Sequence, residues 1–186
     1  MTTPAVISPD DLAHIRTLFC EYQAFLALNL DYQNFDAELA NLPGRYAPPT
    51  GNLYLARWQH QPAGCAAYYQ PDPEAQPGVC EIKRVFVRQA FQGVGLGKAL
   101  MLQAMHDAAQ AGYHTMRLDS LARLKPAVAL YQRLGFVPTP SFNHDPNADV
   151  VYLACDLSEF TTSKFAKSHT PIGDCYRIGR IGQTDS

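Results

Sequence analysis

The run Gln92-Gly93-Val94-Gly95-Leu96-Gly97-Lys98 sets three glycines at alternate positions and a lysine directly after the last. Glycine has no Cβ, so the chain can turn through φ > 0 there and bring its N–H groups against a ligand. A helix starting at the end of such a run adds unsatisfied donors and a positive dipole end. Together these make an anion cradle whose usual guest is a phosphate or diphosphate. The flanks supply the matching elements. Ile82 to Val87 is a short β-branched and aromatic run, and Leu96 to Ala111 repeats apolar residues at helical spacing.

Three cradles compete. A P-loop needs Gly-x-x-x-x-Gly-Lys-Ser/Thr, but Gln92 stands where the first glycine belongs and Ala99 follows Lys98. A dinucleotide fingerprint needs Gly-x-Gly-x-x-Gly, and Gly93-x-Gly95 is followed by Lys98 in place of the third glycine. Asp119 lies near the spacing of the ribose-binding acid, which keeps that reading open. Against it, the preceding strand carries Glu81, Lys83 and Arg84, whereas central parallel strands read as near-continuous apolar runs. The third pattern, Gln/Arg-x-x-Gly-x-Gly/Ala, is matched by Gln92, Gly95 and Gly97. It resembles the pyrophosphate loop of the GNAT superfamily of N-acetyltransferases.

Two further blocks carry the same resemblance. Ala127 to Phe136 is similar to the family's short helix ending in Tyr-x-x-x-Gly-Phe, with Tyr131, Gly135 and Phe136 in place. Glu81 to Val87 is similar to the family's fourth strand. The resemblance spans roughly residues 5 to 157, with one departure: Leu124 stands where many members have Asn.

It implies an acetyl-CoA-dependent acyltransferase in which acetyl-CoA is the acetyl-donor cosubstrate. Gln92, Gly93, Val94, Gly95, Leu96, Gly97 and Lys98 would hold the diphosphate, mostly through main-chain N–H groups. The strand edge at Val85, Phe86 and Val87 would pair with the pantetheine amides and supply an oxyanion donor. Tyr131 would protonate the departing thiolate; its reference pKa of about 10 keeps it protonated at neutral pH. Glu81 would take the ammonium proton, directly or through water. Its plainer reading is a solvated charged patch shared with Lys83 and Arg84.

Arg84 offers a bidentate fork to an acceptor carboxylate, which would make the acceptor amino-acid-like. Cys80 is read as inert packing and His144 as exposed. Tyr22, Tyr32, Phe35, Tyr46, Tyr68 and Tyr69 could line an acceptor pocket or fill the core.

The expected reaction is direct acetyl transfer to a primary amine of a small molecule. A protein lysine or N-terminal acetyltransferase, or a non-catalytic acyl-CoA-binding sensor, are the alternatives. A net charge of -2 with both signs interspersed argues against nucleic acid as a partner. No apolar run reaches membrane-spanning length, and the N-terminal residues lack a signal-peptide pattern. Cysteines 20, 65, 80, 155 and 175 are an odd set without C-x-x-C spacing, so reduced thiols in the cytoplasm are expected. No metal-binding spacing occurs, and a monomer or homodimer is expected.

Ser8-Pro9-Asp10-Asp11 reads as a helix start, continued by an apolar face through about Leu28. A second helix is expected over Phe35 to Leu42. Strands are expected at Thr3 to Ile7, Leu53 to Trp58, Gly64 to Tyr69, Ile82 to Val87, His114 to Ser120 and Val150 to Leu157. The second and third would form a hairpin through His60 to Ala63. These elements indicate an α/β (α+β) domain: a mixed, mostly antiparallel sheet of about six to seven strands with helices on both faces. Residues 1–157 would form the GNAT domain. Residues 158–186 lose periodicity and are expected to be a tail, disordered or packed on the surface.

Overall fold

The computed structural model describes residues 5–6, 8–158, 160 and 176–180. Among these residues eight strands form one sheet: β1 (Ala5–Val6), β2 (Asn52–Trp58), β3 (Gln61–Tyr69), β4 (Val79–Val87), β5 (Thr115–Leu121), β6 (Val137–Pro138), β7 (Val150–Asp156) and β8 (Tyr176–Arg180). Their order is β1-β8-β2-β3-β4-β5-β7-β6. Among the described residues only β1 with β8 and β4 with β5 run parallel, so the sheet is mixed and mostly antiparallel as expected. That arrangement also removes the dinucleotide reading, which needs a mostly parallel sheet.

Among the described residues four α-helices flank the sheet: α1 (Pro9–Leu26), α2 (Phe35–Ala40), α3 (Leu96–Gln110) and α4 (Lys125–Arg133). The start of α1 follows its sequence signal closely. The Ser8 side chain accepts from the Asp11 amide while Asp11 accepts from the Ser8 amide, a reciprocal capping box with Pro9 at the first helical position. Ile15, Leu18 and Phe19 of α1 join Phe35, Leu53, Leu55 and Phe86 in one buried cluster. On the opposite face, Leu96, Leu100, Ala104 and Ala108 of α3 pack on Tyr54, Ile82, Met116 and Leu118. The period-two alternation of the strands thus feeds two separate cores.

Three details depart from expectation. The β2–β3 hairpin turns at Gln59 and His60, whose φ values are 46° and 67°, so β3 begins at Gln61 and Pro62 lies inside it. Pro62 is tolerated because β4 pairs with β3 only from Gly64 onward, leaving no ladder bond for its missing N–H. The short strand β6 was not anticipated. Nor was β8, which falls within the expected tail and pairs with β2 from Tyr54↔Arg180 to Trp58↔Tyr176.

One buried acid ties β8 to the rest. Asp107 of α3 is 7% exposed and accepts from Tyr54 Oη at 2.9 Å and Gln103 Nε2 at 3.0 Å. Arg180 Nη1 pairs with its Oδ1 at 2.9 Å. Among the described residues, no helix is long and apolar enough to cross a membrane.

Replacing Arg180 with Ala leaves the Asp107 carboxylate with neutral donors alone. Stability should fall by about 1–3 kcal/mol. A chain of this size should then melt several degrees lower, about 2–4 °C per kcal/mol, in a thermal scan.

Candidate active site

The site begins where two parallel strands part company. β4 and β5 pair through Val79↔Thr115, Cys80↔Met116 and Glu81↔Arg117, and the ladder ends there. β4 continues to Val87 and β5 to Leu121, so both present unpaired backbone across a widening gap. On its other side β4 stays bonded to β3, but the register shifts between Cys65 and Ala67. Arg84 sits opposite this irregularity at φ 58°, a left-handed conformation that costs a non-glycine residue about 1–2 kcal/mol.

Beyond the bulge, strand alternation decides which groups face the gap. The Arg88 amide donates to Ala63 O at 2.9 Å, toward β3. Val87 and Val85 are therefore the residues whose main-chain groups face the gap. The Phe86 backbone turns to its partner Cys65 instead. Phe86 belongs to the site through its side chain, which lines the cavity.

The glycine run follows. A short 3-10 turn, Gln89–Phe91, leads into Gly93 at φ 81° and Gly95 at φ 94°, and Gly95 is the residue before α3. The Ala99 amide makes the first helical bond, to Gly95 O. The amides of Gly93, Val94, Gly95, Leu96, Gly97 and Lys98 find no acceptor among the described residues. Six consecutive free N–H groups at a helix N-terminus are what an oxyanion-rich ligand needs.

The members of the run differ in what they contribute. Gln92 spends its amide on Gln89 O, and its Nε2 donates to Val87 O at 2.9 Å, so it braces the loop against β4. Val94 is 36% exposed and offers only its amide. Gly97 does not have a positive φ, and a Cβ there would meet Leu130 Cδ2 at an ordinary 3.6 Å. Gly93 and Gly95 are the positions where glycine is required by conformation.

A cavity of about 610 Å³ runs from this loop through the gap. Gly95, Leu96, Gly97, Lys98 and Arg133 line it at the loop end. Tyr22, Tyr32, Gln33, Asp119, Ser120 and Asp145 line it toward α1 and the β6–β7 loop. Of the aromatics considered from sequence, Tyr22 and Tyr32 reach this wall, whereas Phe35, Tyr46 and Tyr68 are core.

Tyr131, on α4, lines the cavity between the two ends and is 7% exposed. Burial, with smaller contributions from Tyr22 and the Asp119 charge, pushes its phenol above the ordinary tyrosine range. It is therefore protonated at neutral pH. Leu124 also lines the cavity and stands at the N-cap of α4 without any side-chain cap, a task an Asn could have performed. Cys80 is buried and absent from the lining, and burial pushes its thiol up, so inert packing describes it. His144 is exposed.

Two sequence readings need correction. Glu81 is not a free base at the cavity, which it does not line. Arg117 Nε and Nη2 donate to its Oε1 at 3.0 and 2.7 Å, and Tyr69 Oη donates to its Oε2 at 3.0 Å. Nor is it solvated: the Glu81 and Lys83 side chains are 5% and 9% exposed. Lys83 pairs with Asp119 directly across the gap.

Arg84 does line the cavity, but its fork is already taken. Its Nε and Nη2 donate to Glu38 at 2.9 and 3.1 Å, and its Nη1 donates to Gln33 Oε1 at 2.9 Å. An acceptor carboxylate would have to displace Glu38, so Arg84 locks α2 to the bulge and does not read substrate. Sequence could not name Glu38 as its partner, because 46 residues separate them.

The Glu38–Arg84 lock has a testable pH signature. Burial alone would raise the Glu38 pKa, but the Arg84 hydrogen bonds and charge, with Arg45, outweigh it and hold the carboxyl below its usual range. A depressed carboxylate pKa contributes stability above the unfolded value of about 4.3 and loses it as pH falls through the folded value. Glu38→Gln should flatten the part of the acid-unfolding curve below that pH. Glu38→Ala should cost about 3–5 kcal/mol in urea unfolding at neutral pH, because it strands a buried guanidinium.

Comparison with known proteins now bears on this geometry. Residues 14–136 match the model of the Acetyltransferase (GNAT) family. An uncharacterised N-acetyltransferase of Schizosaccharomyces pombe is 39% identical over 156 residues, covering 83% of this chain and 94% of its own. Another from Escherichia coli K12 is 30% identical, covering 66% of this chain and 71% of its own. A crystal structure from Klebsiella pneumoniae, of a protein proposed to be an acyl-CoA N-acyltransferase, superposes with a TM-score of 0.65 at 27% identity. It covers 84% of this chain and 98% of the other. The free amides, the parted strands and these likenesses agree, and the chain belongs to the GNAT family of acetyl-CoA-dependent N-acetyltransferases.

Proposed function

We propose that this enzyme moves the acetyl group of acetyl-CoA directly onto a primary amine of a small molecule, and that it works as a monomer or homodimer in the cytoplasm. The observation that carries the reading is the run of six unbonded amides, 93–98, opening on a cavity that passes through the gap to Tyr131.

The residues present suit the cosubstrate. Main-chain donors at the head of α3 match a diphosphate, and the exposed Lys98 and Arg133 add charge without a competing carboxylate among the described residues. The Val85 main chain and the N–H of Val87, whose carbonyl is already held by Gln92, can pair with the amides of the pantetheine arm as a further strand would. An N–H from that edge would stabilise the oxyanion as the amine attacks the thioester carbon, an effect of about 3 kcal/mol in other acyl transfers.

The C–S bond then breaks, the thiolate takes the Tyr131 proton, and the phenolate regains a proton from water as coenzyme A leaves. With Glu81 committed to Arg117, the ammonium proton leaves through water at the Asp119 end of the cavity. The tie between the β6–β7 loop and the segment after α1, through Tyr32 Oη and Asp145 Oδ2 at 3.0 Å, supports a small acceptor over a peptide.

Tyr131→Phe should lower kcat by about 100-fold or more, with the acceptor KM changed little, when coenzyme A release is followed with a thiol reagent. Because the phenol is pushed up, wild-type kcat should show no falling limb from this acid below about pH 10. Binding of coenzyme A without turnover of any amine would instead support a sensor. Gly95→Ala should weaken coenzyme A binding by about tenfold in calorimetry, through the left-handed strain, whereas Gly97→Ala and Val94→Ala should change it little.

A further inference from the structure

The cavity is charged unequally at its two ends. Lys98 and Arg133 make the loop end positive, in keeping with a diphosphate. Toward the β6–β7 loop, the lining charges are Lys83, Arg84, Asp119 and Asp145. Lys83 neutralises Asp119, and Arg84 is neutralised by Glu38. That leaves Asp145 as the one lining carboxylate with no cation beside it among the described residues.

Asp145 is nevertheless held in place. The Asn147 amide and Nδ2 donate to its Oδ1 at 2.8 and 2.6 Å, and Tyr32 Oη donates to its Oδ2 at 3.0 Å. Gln33 Nε2 steadies the same hydroxyl at 2.9 Å and is itself held by Arg84. These donors are neutral, so they fix the carboxylate without cancelling its charge. Each carboxylate oxygen can accept about two hydrogen bonds, so Oδ2 keeps room for one more donor. Tyr22, Leu30, Phe86 and Leu121 also line the cavity and make much of its wall apolar.

We infer that Asp145 determines acceptor specificity by receiving a second positive charge of the acceptor, so that the substrate is an amine carrying another cationic group on a short apolar stem. The inference rests on the acetyl-transfer reading above and adds the substrate class. An acceptor carboxylate would be repelled at this end, where Arg84 has no free fork to offer it.

The test compares a diamine with the amino alcohol of equal length, in which a neutral hydroxyl replaces the second ammonium. Wild-type kcat/KM should favour the diamine by about tenfold or more, as a charge-assisted hydrogen bond predicts. Asp145→Asn should bring that ratio close to one, with the loss in the diamine KM. Tyr32→Phe, which frees the carboxylate but keeps its charge, should reduce the ratio partway. An unchanged circular dichroism spectrum and melting midpoint separate these effects from misfolding. Turnover of both amines without preference in the wild type, or a preference that survives Asp145→Asn, overturns the inference and leaves acetyl transfer standing. Absence of turnover on every amine, despite coenzyme A binding, overturns both.

Discussion

The early end of the β4–β5 ladder is the constraint on which the rest depends. Had pairing continued past Glu81↔Arg117, the backbone groups of Val85 and Val87 would be spent on β5, and no cavity could pass through the sheet. Two features hold the strands apart. The bulge at Arg84 twists β4 away, and its left-handed backbone is maintained by a guanidinium bound on three nitrogens to Glu38 and Gln33. Lys83 and Asp119 then span the gap as a side-chain ion pair, which fixes how far the strands part. Strain of this kind persists only when the surroundings over-determine it, and here they do.

Charge is arranged around the gap with similar economy. Glu81, Lys83, Arg117 and Asp119 are buried together and pairwise compensated, so they stiffen the floor of the site without offering a free base. Arg117 also lies 4.1 Å from the Phe142 ring centroid, which brings the β6–β7 loop over the same network. The groups left open to a ligand are few: the loop amides, two residues of strand edge, the Tyr131 hydroxyl and the Asp145 carboxylate.

Much of this was legible from local signals. The Ser8-Pro9-Asp11 cap, the strand–glycine–helix passage and the Tyr131 helix closing at Gly135 each depend on neighbours within a few residues, and sequence reads such dependence well. The structure departs where long-range partners decide. Arg84 and Glu81 look available in sequence because their partners, Glu38 and Arg117, lie 46 and 36 residues away. β8 carries no periodic pattern of its own; it is a strand because β2 would otherwise be an open edge and because Asp107 awaits Arg180. Sequence puts the hairpin turn at His60 to Ala63 because Pro62 is a stronger local punctuator than the Gln59-His60 pair that actually turns.

The central claim is that main-chain amides, not side chains, hold the donor, and that it lies along the parted edge of β4. The most direct measurement is a ¹⁵N–¹H correlation spectrum recorded while coenzyme A is added. The amides of residues 93–98, together with Val85 and Val87, should shift most, while those of Phe86 and of the β2–β3 hairpin stay near their starting positions. A titration that saturates with the loop amides unmoved, or with the largest shifts on the β8 side of the sheet, would contradict the account.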